Sequence, residues 1–170
     1  VRAYTKPGEA VLLQQPVYYP FSEVISDNER VIVNNPLKLI DGHYEIDFDD
    51  FEQKIRDNHV KLFLLCSPHN PVGRVWKKWE LEKIGEICIR YGVIVVSDEI
   101  HSDFTWGENK HLMFASLSDD FANISITCTA PSKTFNLAGL QVSNIFIPNE
   151  TLRFKFKKAV DAAGYSQVNV

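Results

Sequence analysis

Short apolar runs alternate with longer amphipathic stretches along this chain, and that alternation restricts it to a narrow set of folds. The strand-like runs are Ala10–Gln14, Glu29–Val33, Val60–Cys66, Val93–Ser97, Asn123–Thr127 and Ser143–Ile147. The helix-like stretches are Tyr19–Ser26, Asp47–Asp57, Lys77–Tyr91, His111–Leu117 and Glu150–Ala163. Within Lys77–Tyr91 the residues Leu81, Ile84, Ile87, Cys88 and Tyr91 follow the i, i+3, i+4, i+7 spacing of one buried face. Gly92 then supplies a C-terminal stop. Ile94-Val95-Val96 is apolar at successive positions, as expected of a strand buried on both faces of a parallel sheet. The pattern predicts an α/β domain: three layers, α/β/α, around a mostly parallel sheet.

A chain of 170 residues fits one such domain with a real core. Its net charge of -4 argues against a nucleic-acid or anionic-membrane surface, both of which require basic patches. Cys66, Cys88 and Cys128 are scattered and odd in number, so neither a disulfide framework nor a zinc site is expected, and no metal. Reduced, buried thiols in a cytoplasmic protein are the expectation. No apolar run approaches the roughly 18 residues of a membrane span, and no signal-peptide pattern is seen. Val1 to Gly8 reads as the last turn of a helix, and Gln167 to Val170 shows no helix stop. A piece of a longer polypeptide is therefore expected.

In open α/β sheets, ligand sites form at the carboxyl ends of strands. Three segments fall there: Ser67–Arg74, Asp98–Asp103 and Ala130–Asn136. Lys133 stands alone among small, hydroxylated and apolar neighbours. A lysine does covalent chemistry, such as Schiff-base formation with an aldehyde, when burial or a neighbouring cation lowers its pKa. Asp98 ends an apolar strand, where a carboxylate needs a partner. A helix cap or structural salt bridge is the commoner use of such a residue; the alternative is to hold a ring nitrogen protonated. Asn70, between Pro68 and Pro71, makes an ordinary turn or fixes an amide against a ligand oxygen. His101 could add a second contact near that oxygen, or serve the fold. Tyr18 either packs or stacks on a flat ligand. Ser132 and Thr134 flank the lysine and are candidate phosphate donors.

Taken together, Ser-Pro-His-Asn-Pro-Val-Gly-Arg-Val-Trp (67–76), Ser-Asp-Glu-Ile-His-Ser-Asp-Phe (97–104) and Ala-Pro-Ser-Lys-Thr-Phe-Asn-Leu-Ala-Gly-Leu-Gln (130–141) resemble the class I/II aminotransferase superfamily of fold-type I pyridoxal phosphate (PLP) enzymes. More narrowly they resemble its MalY/PatB-like branch of cystathionine β-lyases and C–S lyases. The resemblance implies that Lys133 is the catalytic lysine carrying PLP, Asp98 the partner of the pyridine nitrogen and Asn70 a contact of the ring 3-oxygen. His101 stands where many relatives carry a tyrosine. Tyr18 matches the stacking aromatic and Ser132 a phosphate contact. The arginine that grips the phosphate in many aminotransferases is here Gln141. Residues 1–170 would cover part of the large PLP-binding domain, without the N-terminal phosphate loop and the C-terminal small domain. The implied activity is β-elimination from cystathionine or a related cysteine conjugate, or alternatively transamination. A homodimer working on a small amino acid is implied, and the piece alone is expected to be inactive. A third class, a non-catalytic α/β binding domain with an incidental lysine, would need other features such as a basic helix-turn-helix, which these residues lack.

Overall fold

The computed structural model describes residues 1–164, and Gln167 to Val170 lie outside the described residues. A six-stranded sheet runs through its centre, formed by β1 (Ala10–Leu13), β2 (Val31–Asn34), β5 (Leu62–Cys66), β6 (Ile94–Asp98), β7 (Ser125–Thr129) and β8 (Asn144–Phe146). Their spatial order is β2-β1-β5-β6-β7-β8. All neighbours are parallel except β7 and β8. The helices are α1 (Pro20–Ser26), α2 (Phe48–Asp57), α3 (Lys78–Tyr91), α4 (Asp119–Ile124) and α5 (Glu150–Ala162).

Two-residue alternation along each strand divides the core between the two faces. Ala10, Leu12, Phe63, Leu65 and Val95 face α2 and α3, meeting Phe51, Ile55, Leu81, Ile84 and Cys88. Val11, Leu13, Leu62 and Leu64 face the other way, onto Ile25 of α1. Ile126 on that side packs with Leu152 of α5. Central strands thus have no solvated face, which is why β5 reads Leu-Phe-Leu-Leu-Cys and is buried at every position. Gly92 closes α3 in the left-handed region at φ 66, its N–H bonding back to the last turn. Gly85 in α3 lets the Phe121 ring approach: a Cβ there would lie 2.4 Å from it. No helix among the described residues is long and apolar enough to cross a membrane.

The six expected strands and four of the five expected helices are present, with ends shifted by one or two residues. Three differences have local causes. His111–Leu117 forms only a 3-10 turn over Phe114–Ser116, because Met113 is extended and the Phe114 N–H is taken by Glu99. Asn123 and Ile124, expected at the start of β7, belong instead to α4, whose N-cap Ser118 accepts from the Phe121 N–H at 3.1 Å. An unexpected hairpin joins β3 (Lys38–Ile40) to β4 (His43–Glu45). Asp41 and Gly42 make its turn with φ of 48° and 79°, the conformation that an Asp-Gly pair favours. Val1–Thr5 does form one helical turn. Cys66 and Cys88 are buried as expected, whereas Cys128 is only half-buried; all three are free thiols.

Candidate active site

The strand order places β1 beside β5 although the chain visits β2 between them, so connections leave this pair in opposite directions. Such a switch point opens a crevice at the carboxyl ends of the strands. Tyr18 follows β1 and Asn70 follows β5; the Tyr18 N–H donates to the Asn70 carbonyl at 2.9 Å and joins the two loops across the crevice. One strand over, the register aligns Cys66, Asp98 and Cys128 at the strand ends. The loop after β7 then brings Ser132 and Lys133 to the same edge. Together these segments enclose a cavity of about 250 Å³. Tyr18, Asn70, Asp98, His101, Ser132 and Lys133 all line it, completed by Phe21, Cys66 and Ile100.

The cavity's electrostatics centre on Asp98. Burial raises its pKa, partly offset by the Ile100 N–H, which donates to Oδ1 at 3.3 Å, and by His101. No cationic side chain pairs with it among the described residues. Burial also lowers the pKa of His101; Asp98 opposes that shift and the Lys133 ammonium adds to it. The imidazole is thereby biased towards its neutral form, able both to donate and to accept. Lys133 itself lies exposed in a turn at the rim, without a carboxylate partner among the described residues. Tyr18 lines the cavity and is 45% exposed, its ring tilted against that of Tyr19. The side-chain amide of Asn70 makes no hydrogen bond among the described residues, while its backbone N–H donates to Cys66 Sγ at 3.3 Å. Burial pushes the Cys66 thiol up to about 12, so it stays neutral and fixes the loop rather than reacting. An unpaired half-buried carboxylate, a free amide, an imidazole, an aromatic ring and an amine thus converge on one small space.

The sequence profile described as aminotransferase class I and II matches residues 1–167. The chain belongs to this family. It is 54% identical to the cystathionine beta-lyase PatB of Bacillus subtilis over 169 residues, 99% of this chain and 44% of the relative. Protein MalY of Escherichia coli is 35% identical, over 94% of this chain and 40% of its own length. The crystal structure of cystalysin from Treponema denticola, which contains pyridoxal 5'-phosphate, superposes with a TM-score of 0.96 at 46% identity, covering all of this chain and 43% of that one. The chain therefore spans less than half the length of the relatives it matches.

Some side chains take roles that their sequence context did not announce. Glu99, beside Asp98, is fully buried and accepts three hydrogen bonds: from Ser97 Oγ at 2.8 Å, the Phe114 N–H at 3.1 Å and His111 Nε2 at 2.6 Å. A glutamate following an apolar strand signals such burial, but its partner lies twelve residues away. Thr134 does not face the cavity; its hydroxyl donates to Asp103 at 2.7 Å. Gln141 is exposed at the end of a 3-10 turn (Ala138–Leu140) and is not part of the cavity wall. His69, in the first motif, is core: Nε2 meets the Gln14 carbonyl and the ring packs edge-on to Trp76. Among the described residues no cluster of histidine, cysteine or carboxylates is placed to hold a metal ion.

Proposed function

We propose that this chain forms the cofactor-holding core of a PLP-dependent C–S β-lyase acting on cystathionine or related cysteine conjugates. The observation that carries the reading is the convergence of Lys133, Asn70, Tyr18, His101 and Ser132 around the half-buried, cation-free carboxylate of Asp98. That donor set suits pyridoxal phosphate group by group. Asp98 would face the protonated ring nitrogen. Asn70 and His101 would address the ring oxygen, Tyr18 the ring face, Ser132 the phosphate and Lys133 the aldehyde. When bound, the cofactor supplies an electron sink for charge developing at the substrate α-carbon. Lys133 Nζ would anchor it covalently, yield to the substrate amine and then take the substrate α-proton as general base. Asp98 would keep the ring nitrogen protonated; the β-sulfur group would leave as a thiol, and hydrolysis of the released enamine by water would give pyruvate and ammonia. Transamination shares every residue up to the proton removal, and the family's description keeps it as the second reading.

The PatB and cystalysin likenesses support the lyase side. Residues 1–170 would belong to the large PLP-binding domain. A phosphate loop, a small domain and the group that holds the substrate carboxylate would come from sequence beyond them. A cytoplasmic homodimer would be the working form; exposed apolar side chains such as Tyr19 and Phe135 support the pairing.

The test is an absorbance spectrum of the full-length protein with PLP. A band near ~420 nm is expected in the wild type and absent in Lys133→Ala. A band unchanged by the substitution would remove Lys133 from its assigned role. Pyruvate release from cystathionine, against keto-acid-dependent amino transfer, then separates lyase from transaminase.

A further inference from the structure

The walls of the cavity come from separate loops, and few bonds hold those loops to each other. Asp98 ends β6 and His101 lies at the start of the segment after it, while Ser132 and Lys133 lie in the segment after β7. Within each segment the backbone is locally braced: Ser102 N–H to the Glu99 carbonyl and Phe104 N–H to the His101 carbonyl on one side, Phe135 N–H to the Pro131 carbonyl and Leu137 N–H to the Ser132 carbonyl on the other. Between residues 100–113 and 130–143, one hydrogen bond crosses among the described residues. It runs from Thr134 Oγ1 to Asp103 Oδ2 at 2.7 Å. Thr134 is the next residue after Lys133, and Asp103 lies two after His101. Beyond that contact, Lys133 occupies a run of exposed residues reaching from 133 to 141.

We propose that Asp103 and Thr134 form a clasp that sets the position of Lys133 relative to Asp98 and His101. Both act as positioning residues, and neither lines the cavity. A lysine that must meet an aldehyde carbon and later a substrate proton loses much of its advantage when its backbone shifts by an ångström. A short hydrogen bond to a carboxylate is directional enough to fix such a turn. Both partners are solvent-exposed, so the clasp adds little to global stability. Position and stability should therefore separate on mutation, which a merely structural contact would not allow.

The proposal rests on the assignment of Lys133 as the reactive amine, and the experiment keeps the two apart. In the full-length protein, reaction of Lys133 with a small amine-selective reagent is followed by peptide mapping against pH, with distant lysines such as Lys61 as internal standards. The rate of PLP attachment to Lys133 is measured separately. Failure of wild-type Lys133 to take up PLP would overturn the cofactor assignment, while the labelling profile would still test the clasp. Thr134→Val and Asp103→Ala are expected to slow attachment by about 10-fold and to shift the Lys133 labelling profile. Their melting temperatures should stay within about 2 °C of wild type. Thr134→Ser, which keeps the hydroxyl, and Asp103→Asn, which keeps an acceptor, should restore most of the rate. The double substitution should be no worse than either single one. Unchanged Lys133 reactivity in Thr134→Val would overturn the clasp. So would equal losses in Asp103→Asn and Asp103→Ala, which would assign the effect to the carboxylate's charge.

Discussion

Asp98→Asn should stabilise the cofactor-free protein and weaken the cofactor-bound one. The substitution keeps size and shape and removes a charge. In the fold that charge is half-buried at the end of β6, aligned with the thiols of Cys66 and Cys128, and supported by a single backbone N–H at 3.3 Å. Both thiols are held neutral by burial, so neither compensates it. Burial raises the folded-state pKa of Asp98 above its unfolded value, so the unfolded chain releases this proton more readily. The stability contributed by the protonated carboxyl is fully present below the unfolded pKa and is lost as pH rises through the folded pKa. At pH 7 to 8 an amide avoids that loss. Stabilising replacements of this kind contribute about 0.5–2 kcal/mol, and about 1 kcal/mol corresponds to roughly 2–4 °C in melting temperature for a chain of this size. The advantage should shrink as pH falls towards the folded pKa. With PLP the order should reverse, because a charge-assisted hydrogen bond of about 1.5–3 kcal/mol is replaced by a neutral one. The neutral bond keeps about 0.5–1.5 kcal/mol, so the loss of about 1–1.5 kcal/mol is roughly a 5- to 10-fold weaker Kd. Thermal unfolding from pH 5 to 8, with and without PLP, reads both effects. An Asp98→Asn protein that is less stable than wild type without PLP at pH 8 would refute the reasoning, by showing that the carboxylate anchors the fold.

Two further predictions concern histidines outside the cavity. His111→Ala removes the imidazole from the fully buried Glu99 and leaves one carboxylate oxygen without its donor; it should cost about 3–5 kcal/mol in urea unfolding, and a cost below 1 kcal/mol would show that water replaces the ring freely. Burial, with Arg74 adding to it against the Gln14 contact, takes the His69 pKa down to about 4, so no titration of its ring signals is expected by NMR between pH 5 and 8. Because the unfolded chain binds that proton near pH 6.5, stability should fall as pH drops from 6.5 towards 4, by roughly 3 kcal/mol in full; a ring titrating near 6.5 would place His69 in solvent instead.

The sheet was legible because burial on both faces leaves a signal that survives at short range. β5 and β6 are runs that few other environments explain, and the stripe on α3 needs only the helical period. Where a backbone group is claimed by a distant side chain, local pattern fails. His111–Leu117 has helical composition, yet Glu99 takes the Phe114 N–H and the segment closes as a single 3-10 turn. The β3–β4 hairpin was missed for a different reason. Leu39 and Ile40 are exposed, so no apolar alternation marks them, and only Asp41-Gly42 signals the turn.

The site followed from topology more than from any one residue. Lys133, Asp98 and Asn70 each have a commoner, structural use, and their separations along the chain say nothing about distance. Parallel strands remove that ambiguity, because each strand presents its carboxyl end on the same edge of the sheet. A residue placed just after a strand in one register must then meet those after its neighbours. The supporting contacts do not follow from this rule. Glu99 with His111, and Asp103 with Thr134, join points 12 and 31 residues apart through side-chain rotamers that no strand register dictates. Residues that touch the ligand are thus ordered by the backbone, whereas residues that steady them are ordered by packing. For this chain the second group is where substitutions should alter the behaviour of Lys133 without touching the cavity wall.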